Sequence, residues 1–373
     1  MARVAIVGAG AVARAYAALL AQRGHAPGLW SPRGTGLDDL AEAELPPGAP
    51  WTKVRGRQLD AQGAVSGRFT VAQLEHMEAL RAADAVVVAL PATAYDAALT
   101  PLAGVLGGQF ILFSGALSLA PLWLGEAVAA TTAQPPLVAS LGTTIATARA
   151  RPGSVQVMTV RTRVDVATTP ATGLATALAR CAELFGDHFD AQDSALAIAL
   201  SNINPVAHAG LAIGNLTRIE RGENWPQYHY MTPAVARLIE VLDGERRALA
   251  QAFGTEVRPI EQHFHRSFDV PLTSLAEIAA ELHRRRGGPP GPTTLDTRFV
   301  LEDVPFGLAF YAAVARIAGV AVPNIEAATT VLSAAYGIDL RSANPLLAPL
   351  RLADTTREEL LARTRGSPGQ GRS

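Results

Sequence analysis

The first thirteen residues constrain this chain more than any other stretch. Arg3-Val-Ala-Ile-Val7 is a continuous β-branched apolar run, the pattern of a strand buried on both faces. It leads directly into Gly8-Ala-Gly10-Ala11-Val12-Ala13, and helical spacing continues through Tyr16, Leu19 and Leu20 to Gly24. Strand, G-x-G-x-x-A and helix in that order form the turn that binds a dinucleotide. Gly8 permits the tight turn, and Gly10 lets the backbone approach a pyrophosphate. Ala13 holds helix against strand. The free N–H groups of the first turn, which includes Ala11 and Val12, supply the phosphate site together with the helix dipole. Glycine pairs alone are a weak signal; this context makes the pair specific.

The second strand ends at Gly28-Leu-Trp30-Ser31-Pro-Arg33. An acid for the adenosine ribose is usual about 20 residues beyond the glycines, and none stands here. Ser31 and Arg33 offer a hydroxyl and a guanidinium instead, a pair suited to a ribose phosphate. NADP(H) is therefore the preferred cofactor, with NAD(H) still open. Residues 37–67 carry Pro46, Pro47 and Pro50 and read as loop, followed by a short strand and a helix over Phe69–Arg81. Ala85–Leu90 is the next buried strand. Ligands of open α/β sheets bind off such carboxyl ends, so Leu90 and Pro91 should border the cofactor. Gln109–Ser114, Leu137–Leu141, Val155–Val160 and Arg163–Ala167 read as further strands, and Leu174–Phe185 as a helix. Gly142-Thr143-Thr144 opens a loop that reaches Arg149.

Past residue 190 the period changes to helical, with helices expected over Ala195–Leu216, Pro233–Phe253, Leu275–Arg285, Phe306–Ala318 and Ile325–Tyr336. The class is α/β: a doubly wound Rossmann-type sheet over 1–190, then an all-α domain over 191–363 and a polar, Gly-rich tail, 364–373, expected to be disordered. Within the first long helix, Ser201-Asn-Ile-Asn204-Pro205-Val-Ala-His208 forces a break, because Pro205 cannot donate to the carbonyl four residues back. Asn204 and His208 then project from one face. An imidazole and a carboxamide aimed together can bind a polar substrate and move a proton; equally, a histidine can simply be satisfied inside a helical core.

A chain of 373 residues, half of them apolar, is long enough for two cores. Its net charge of -1 gives no reason to expect nucleic acid or an anionic membrane as partner. Cys181 is the single cysteine, which excludes an internal disulfide and fits a reducing compartment. The opening residues lack the apolar core of a secretion signal, so a cytoplasmic protein is expected. The longest apolar candidate for a span, Ala116–Ala130, is broken by Pro121, Gly125 and Glu126. His263 and His265 lack further ligand-type residues at metal spacing, so no metal is expected.

Asn202-x-Asn204-Pro-x-x-His208 and Arg298-x-x-x-Glu302-Asp303-Val-Pro-x-Gly307, with the Ala-Arg-Leu-Ile-Glu-Val-Leu-Asp run ending at Asp243, resemble the octopine/nopaline (opine) dehydrogenase family. The resemblance covers roughly residues 1 to 350. It implies an NAD(P)-dependent enzyme that joins an amine to an α-keto acid and reduces the imine. Carried over by position, it makes His208 the catalytic histidine and Asp303 its carboxylate partner. Arg298 becomes the binder of substrate carboxylate, and Asn204 a neighbour of the substrate carbonyl. The loop after Leu141 departs from the family pattern. It keeps Thr143 and Arg149 as substrate-side residues but has Gly142 and Ala148 where cation-accepting members carry an acid and a cysteine. An arginine-like amine is accordingly disfavoured. The partners implied are a small amine and an α-keto acid, and whether the chain forms a homodimer is open.

Two rivals remain. One is a keto-acid or alcohol reductase of the ketopantoate-reductase-like superfamily; such reductases use a catalytic lysine, and Lys53 is the only lysine here. The other is a non-catalytic NADP-sensing protein, which the retained His208 and Asp303 argue against.

Overall fold

The computed structural model describes residues 1–51 and 54–366, and every structural statement below concerns those residues. Lys53 and residues 367–373 lie outside them. The chain divides into two compact units, Met1–Ile198 with the segment from Ala362 onward, and Ala199–Leu361.

The first unit is built on one twelve-stranded sheet. Its strands are β1 (Arg3–Val7), β2 (Ala26–Trp30), β3 (Ala41–Ala43), β4 (Arg55–Gly63), β5 (Gly67–Leu74), β6 (Ala85–Val88), β7 (Phe110–Phe113), β8 (Leu137–Leu141), β9 (Ala146–Arg151), β10 (Ser154–Val160), β11 (Val164–Thr169) and β12 (Phe189–Ala191). They lie in the order β12-β11-β8-β7-β6-β1-β2-β5-β4-β10-β9, with β3 paired to β4. The centre is parallel: β1 pairs with β2 and β6, and β7 with β6 and β8. Those strands are predominantly apolar because both faces are covered. Four helices belong to this unit: α1 (Ala11–Gln22), α2 (Tyr95–Ala103), α3 (Ala120–Ala129) and α4 (Leu174–Phe185). The core includes Val4, Ile6, Leu20, Val87, Leu112 and Phe185.

Two stretches expected to be loops are strands. Residues 37–67 contain β3 and β4, and β4 runs antiparallel to β5. Its inward residues Arg57, Leu59 and Ala61 alternate with more exposed ones, so the signal is a period of two written largely in polar residues. Arg57 tolerates burial because Gln73 and the carbonyl of Leu40 accept its N–H groups. The stretch after Thr144 likewise enters β9, an edge strand on β10, instead of running as loop to Arg149.

The second unit is helical. α5 (Ala195–Ser201) runs across the division between the two compact units, Ile198 closing the first and Ala199 opening the second. There follow α6 (Asn204–Gly214), α7 (Leu216–Glu220), α8 (Pro233–Ala252), α9 (Ile260–Phe268), α10 (Leu275–Arg286), α11 (Arg298–Leu301), α12 (Phe310–Ala318), α13 (Pro323–Tyr336) and α14 (Arg357–Arg365). A π-helical turn, Val304–Ala309, leads into α12. α6 lies close on α8, since a Cβ on Gly210 would stand 2.4 Å from Ile239 Cγ1. Ile239, Leu242, Val300, Leu308, Val314 and Ile325 fill the core. α10 starts where Ser274 and Glu277 form a reciprocal cap and ends at Gly287 in the left-handed region. α9 went unread because its apolar residues, Ile260, Phe264 and Phe268, are thinly spaced among polar ones.

Two further readings change. Thr364 and Arg365 are helical, not tail, and in the same turn Arg363 pairs with Glu126 of α3 at 2.8 Å. Among the described residues Ala195–Gly214 is long and apolar enough to cross a membrane by length and composition alone, and 72% of its most apolar 18-residue window is buried inside the protein.

Candidate active site

The break before α6 is what aims the histidine. Pro205 sits in the first turn of α6, where its missing N–H costs nothing, and the Oδ1 of Asn202 accepts from the Asn204 N–H at 2.9 Å. The interruption leaves carbonyls at the end of α5 without helical partners. Arg246 donates to the carbonyl of Leu200 at 2.5 Å, and the Tyr311 hydroxyl donates to that of Asn202 at 2.7 Å. Burial pushes the Tyr311 phenol up from its ordinary pKa, so it stays a donor. Arg246 is wholly buried and is neutralised by Asp243 at 2.7 Å. On the other side, Gly307 presses the π-helical turn onto the proline: a Cβ there would stand 2.2 Å from Pro205 Cγ.

That approach brings together residues 95 positions apart: His208 Nδ1 donates to Asp303 Oδ2 at 2.7 Å. The Asp303 side chain is fully buried, whereas that of His208 keeps 15% of its surface exposed. The other oxygen, Oδ1 of Asp303, has no hydrogen-bond partner among the described residues. The carboxylate thus acts on one nitrogen of the ring and fixes the tautomer that leaves Nε2 outward. Phe299 stacks on the imidazole with ring centroids 3.7 Å apart and planes 7° from parallel. Sequence reasoning passed over Phe299, although it stands beside Arg298 in the same motif.

Arg298 is 59% exposed and pairs with Glu302 at 3.2 Å, while its Nε lies 4.0 Å from Asp303 Oδ2. It is free enough to reach a substrate carboxylate and close enough to the dyad to matter. The half-buried Asn204 starts α6, one helical turn before His208. Arg149 departs from its expected place. It is exposed on the edge strand β9, in register with Gln156, and not in a loop with the half-buried Thr143. His265 Nδ1 is bonded to the carbonyl of Val270, and no group of three or more ligand-type side chains that could hold a metal occurs among the described residues.

The nucleotide turn in the first unit fits a dinucleotide. Gly8 has φ +133°, and a Cβ there would meet the Ala89 carbonyl oxygen at 2.5 Å, so only glycine is accepted. Gly10, by contrast, opens onto free space and caps α1 with no side-chain bond, which leaves the N–H groups of Ala11 and Val12 available to an anion. Ala13 is fully buried against the sheet. Leu90 and the exposed Pro91 follow β6 at its carboxyl end. Arg14 ties the turn to the segment after β2, donating to the Ala9 carbonyl at 3.1 Å and the Gly36 carbonyl at 2.7 Å while paired with Asp39. Ser31 lines a cavity of about 230 Å³ with Thr35, Gln73 and Glu75. Arg33 is exposed and has no ion-pair partner among the described residues.

Comparison with known proteins agrees with this layout. Residues 191–336 match the family described as NAD/NADP octopine/nopaline dehydrogenase, alpha-helical domain, and residues 4–115 match ketopantoate reductase PanE/ApbA. An opine dehydrogenase of Arthrobacter sp. (strain 1C) is 27% identical over 281 residues, 74% of this chain and 78% of that protein. An octopine dehydrogenase solved with NADH and L-arginine has the same fold, with a TM-score of 0.76, 17% identity and full coverage of both chains. A yersinopine dehydrogenase with NADP+ bound has a TM-score of 0.68 at 15% identity over 98% of each chain.

Proposed function

We propose that this chain, whose residues 191–336 match the octopine/nopaline dehydrogenase helical domain and which is 27% identical to an opine dehydrogenase, is an NAD(P)-dependent dehydrogenase acting on CH–NH bonds that condenses an amine with an α-keto acid and reduces the imine, preferring NADPH. The observation that carries the reading is the 2.7 Å bond between His208 and Asp303 with Arg298 beside it. A nicotinamide cofactor, its pyrophosphate held at the N–H groups of Ala11 and Val12, would supply the hydride for the substrate carbon. Arg298 holds the keto-acid carboxylate in bidentate fashion and so orients the carbon to be reduced. His208 presents Nε2 to the substrate's nitrogen or oxygen and moves the proton there, as Asp303 stabilises the ring in its charged form. Phe299 covers one face of the imidazole and keeps its plane fixed. In the reverse direction the same ring accepts the proton.

Ser31 and Arg33 support the NADPH preference, since the 2′-phosphate would meet a hydroxyl and an unpaired guanidinium. Gly142 and Ala148 support a neutral or apolar amine, because a guanidinium would find no carboxylate in that segment. The relatives with NADH and with NADP+ show that both cofactors occur on this fold. The ketopantoate-reductase match stays within the nucleotide-binding half, so it does not decide the chemistry. A screen of NADPH oxidation with amino acids crossed against pyruvate, glyoxylate and 2-oxoglutarate tests the reading. Turnover that needs both amine and keto acid is expected; oxidation with the keto acid alone at equal rate would favour a plain keto-acid reductase.

A further inference from the structure

We propose that Glu75, with Arg55 neutralising it, sets the choice between a ribose 2′-hydroxyl and a ribose 2′-phosphate at the adenosine end of the nucleotide site. The inference deepens the cofactor reading above and rests on it. The acid expected at the end of β2 is missing, but the fold supplies one from the neighbouring strand. β5 runs parallel to β2 in the register Trp30 to Leu74, so the next residues, Ser31 and Glu75, leave the sheet side by side. Both line the same cavity, off the carboxyl edge where ligands of parallel sheets bind. Glu75 is far from the fingerprint in sequence, which is why spacing from the glycines does not find it.

A carboxylate there accepts a hydrogen bond from a ribose hydroxyl and repels a phosphate dianion. Arg55 Nε lies 2.9 Å from Glu75 Oε1, with the two side chains 62% and 40% exposed. An ion pair so wet is exchangeable and not locked. With a 2′-hydroxyl bound, the carboxylate is the useful partner. With a 2′-phosphate bound, Arg55 screens the carboxylate through its ion pair with Glu75. The two residues therefore pull cofactor choice in opposite directions.

The test is equilibrium binding by calorimetry of adenosine 2′,5′-bisphosphate and of AMP to the full chain at low salt, in wild type, Glu75→Gln and Arg55→Gln. These fragments need no turnover, so a failed amine screen leaves the test intact. Glu75→Gln should raise the preference for the bisphosphate about fivefold, and Arg55→Gln should lower it about fivefold, the scale of one screened charge pair. Ratios within twofold of wild type in both variants, each folded by its melting curve, overturn the proposal. A wild type that prefers AMP sinks the NADPH preference, while opposite shifts in the two variants would still establish the role of Glu75.

Discussion

Asp303 is the residue whose removal is most informative. An asparagine there keeps the size but offers an amide where a buried carboxylate now accepts the Nδ1 proton of His208 at 2.7 Å. The ring is then no longer held in the tautomer with Nε2 outward, and its charged form loses its counter-ion. Asp303→Asn should lower kcat by about 10²–10⁴, the usual worth of a positioned acid–base, while the dissociation constant for NADPH stays the same. Stopped-flow turnover alongside fluorescence titration of the cofactor would show this; a kcat within threefold of wild type refutes the dyad. At the amine end, Gly142→Glu should shift relative kcat/KM toward arginine and away from a linear apolar amino acid at fixed pyruvate. An unchanged ratio means that this segment does not touch the amine. Exposed acids elsewhere, such as Glu220 and Glu223, are the alternative source of a counter-charge, although Glu223 is already paired with Arg218 at 2.5 Å. Spacing placed Asn204 and His208 on one face, while the roles of Arg298 and Asp303 were legible through the family resemblance. Phe299 was not, because stacking on a histidine 91 positions away leaves no local pattern.

At the level of elements, the site depends on how closely the π-helical turn approaches α6. Gly307 has no room for a methyl group, since its Cβ would fall 2.2 Å from Pro205 Cγ. Gly307→Ala should cost about 1–3 kcal/mol of stability by overpacking and should lower kcat more than it raises KM. Chemical denaturation together with steady-state kinetics separates the two effects. A variant with unchanged stability and rate would show that the turn relaxes freely. The break itself was readable from Pro205, whereas its consequences were not. Orphaned carbonyls at Leu200 and Asn202 need Arg246 and Tyr311, which arrive from distant helices. Replacing Arg246 by methionine strands the buried Asp243 and should cost about 3–5 kcal/mol, measured as a fall in unfolding free energy. Strands β4 and β9 escaped the sequence for a related reason. They alternate polar and small residues and acquire their strand character from pairing partners, not from their own composition.

For the molecule as a whole, the single thiol reports on the first unit. Cys181 on α4 is fully buried, and burial pushes its pKa up to about 12. It should be inert to a thiol reagent at pH 8 and become reactive with the same denaturant midpoint as loss of the sheet signal. Labelling well before that midpoint would mean that α4 opens on its own. Tyr16, also buried, is likewise raised to about 12, with Ser114 and the Ile145 N–H bonded to its oxygen. Both groups are neutral while protonated, and the unfolded chain releases these protons earlier, near pH 9 and 10. Stability is therefore fully present below about pH 9 and falls as pH rises toward 12. Urea midpoints at pH 8 and pH 10.5 should show the decline, and Cys181→Ala should make it shallower.

The sequence by itself determined the nucleotide turn, the switch from strand to helical period near residue 190, and the helix break at Pro205. Each of these is local: a strand-length apolar run, a glycine that only a positive φ or a close backbone approach demands, a proline that stops a helix. Only the tertiary structure decided which distant groups meet. It brought Asp303 to within 2.7 Å of His208, the pairing that the family resemblance had implied, laid Phe299 on the ring, set Glu75 beside Ser31, and turned two loop-like stretches into strands. Those outcomes depend on close packing between segments far apart in the chain, where Gly307 against Pro205 or the register of β5 on β2 settles a contact that no periodicity encodes.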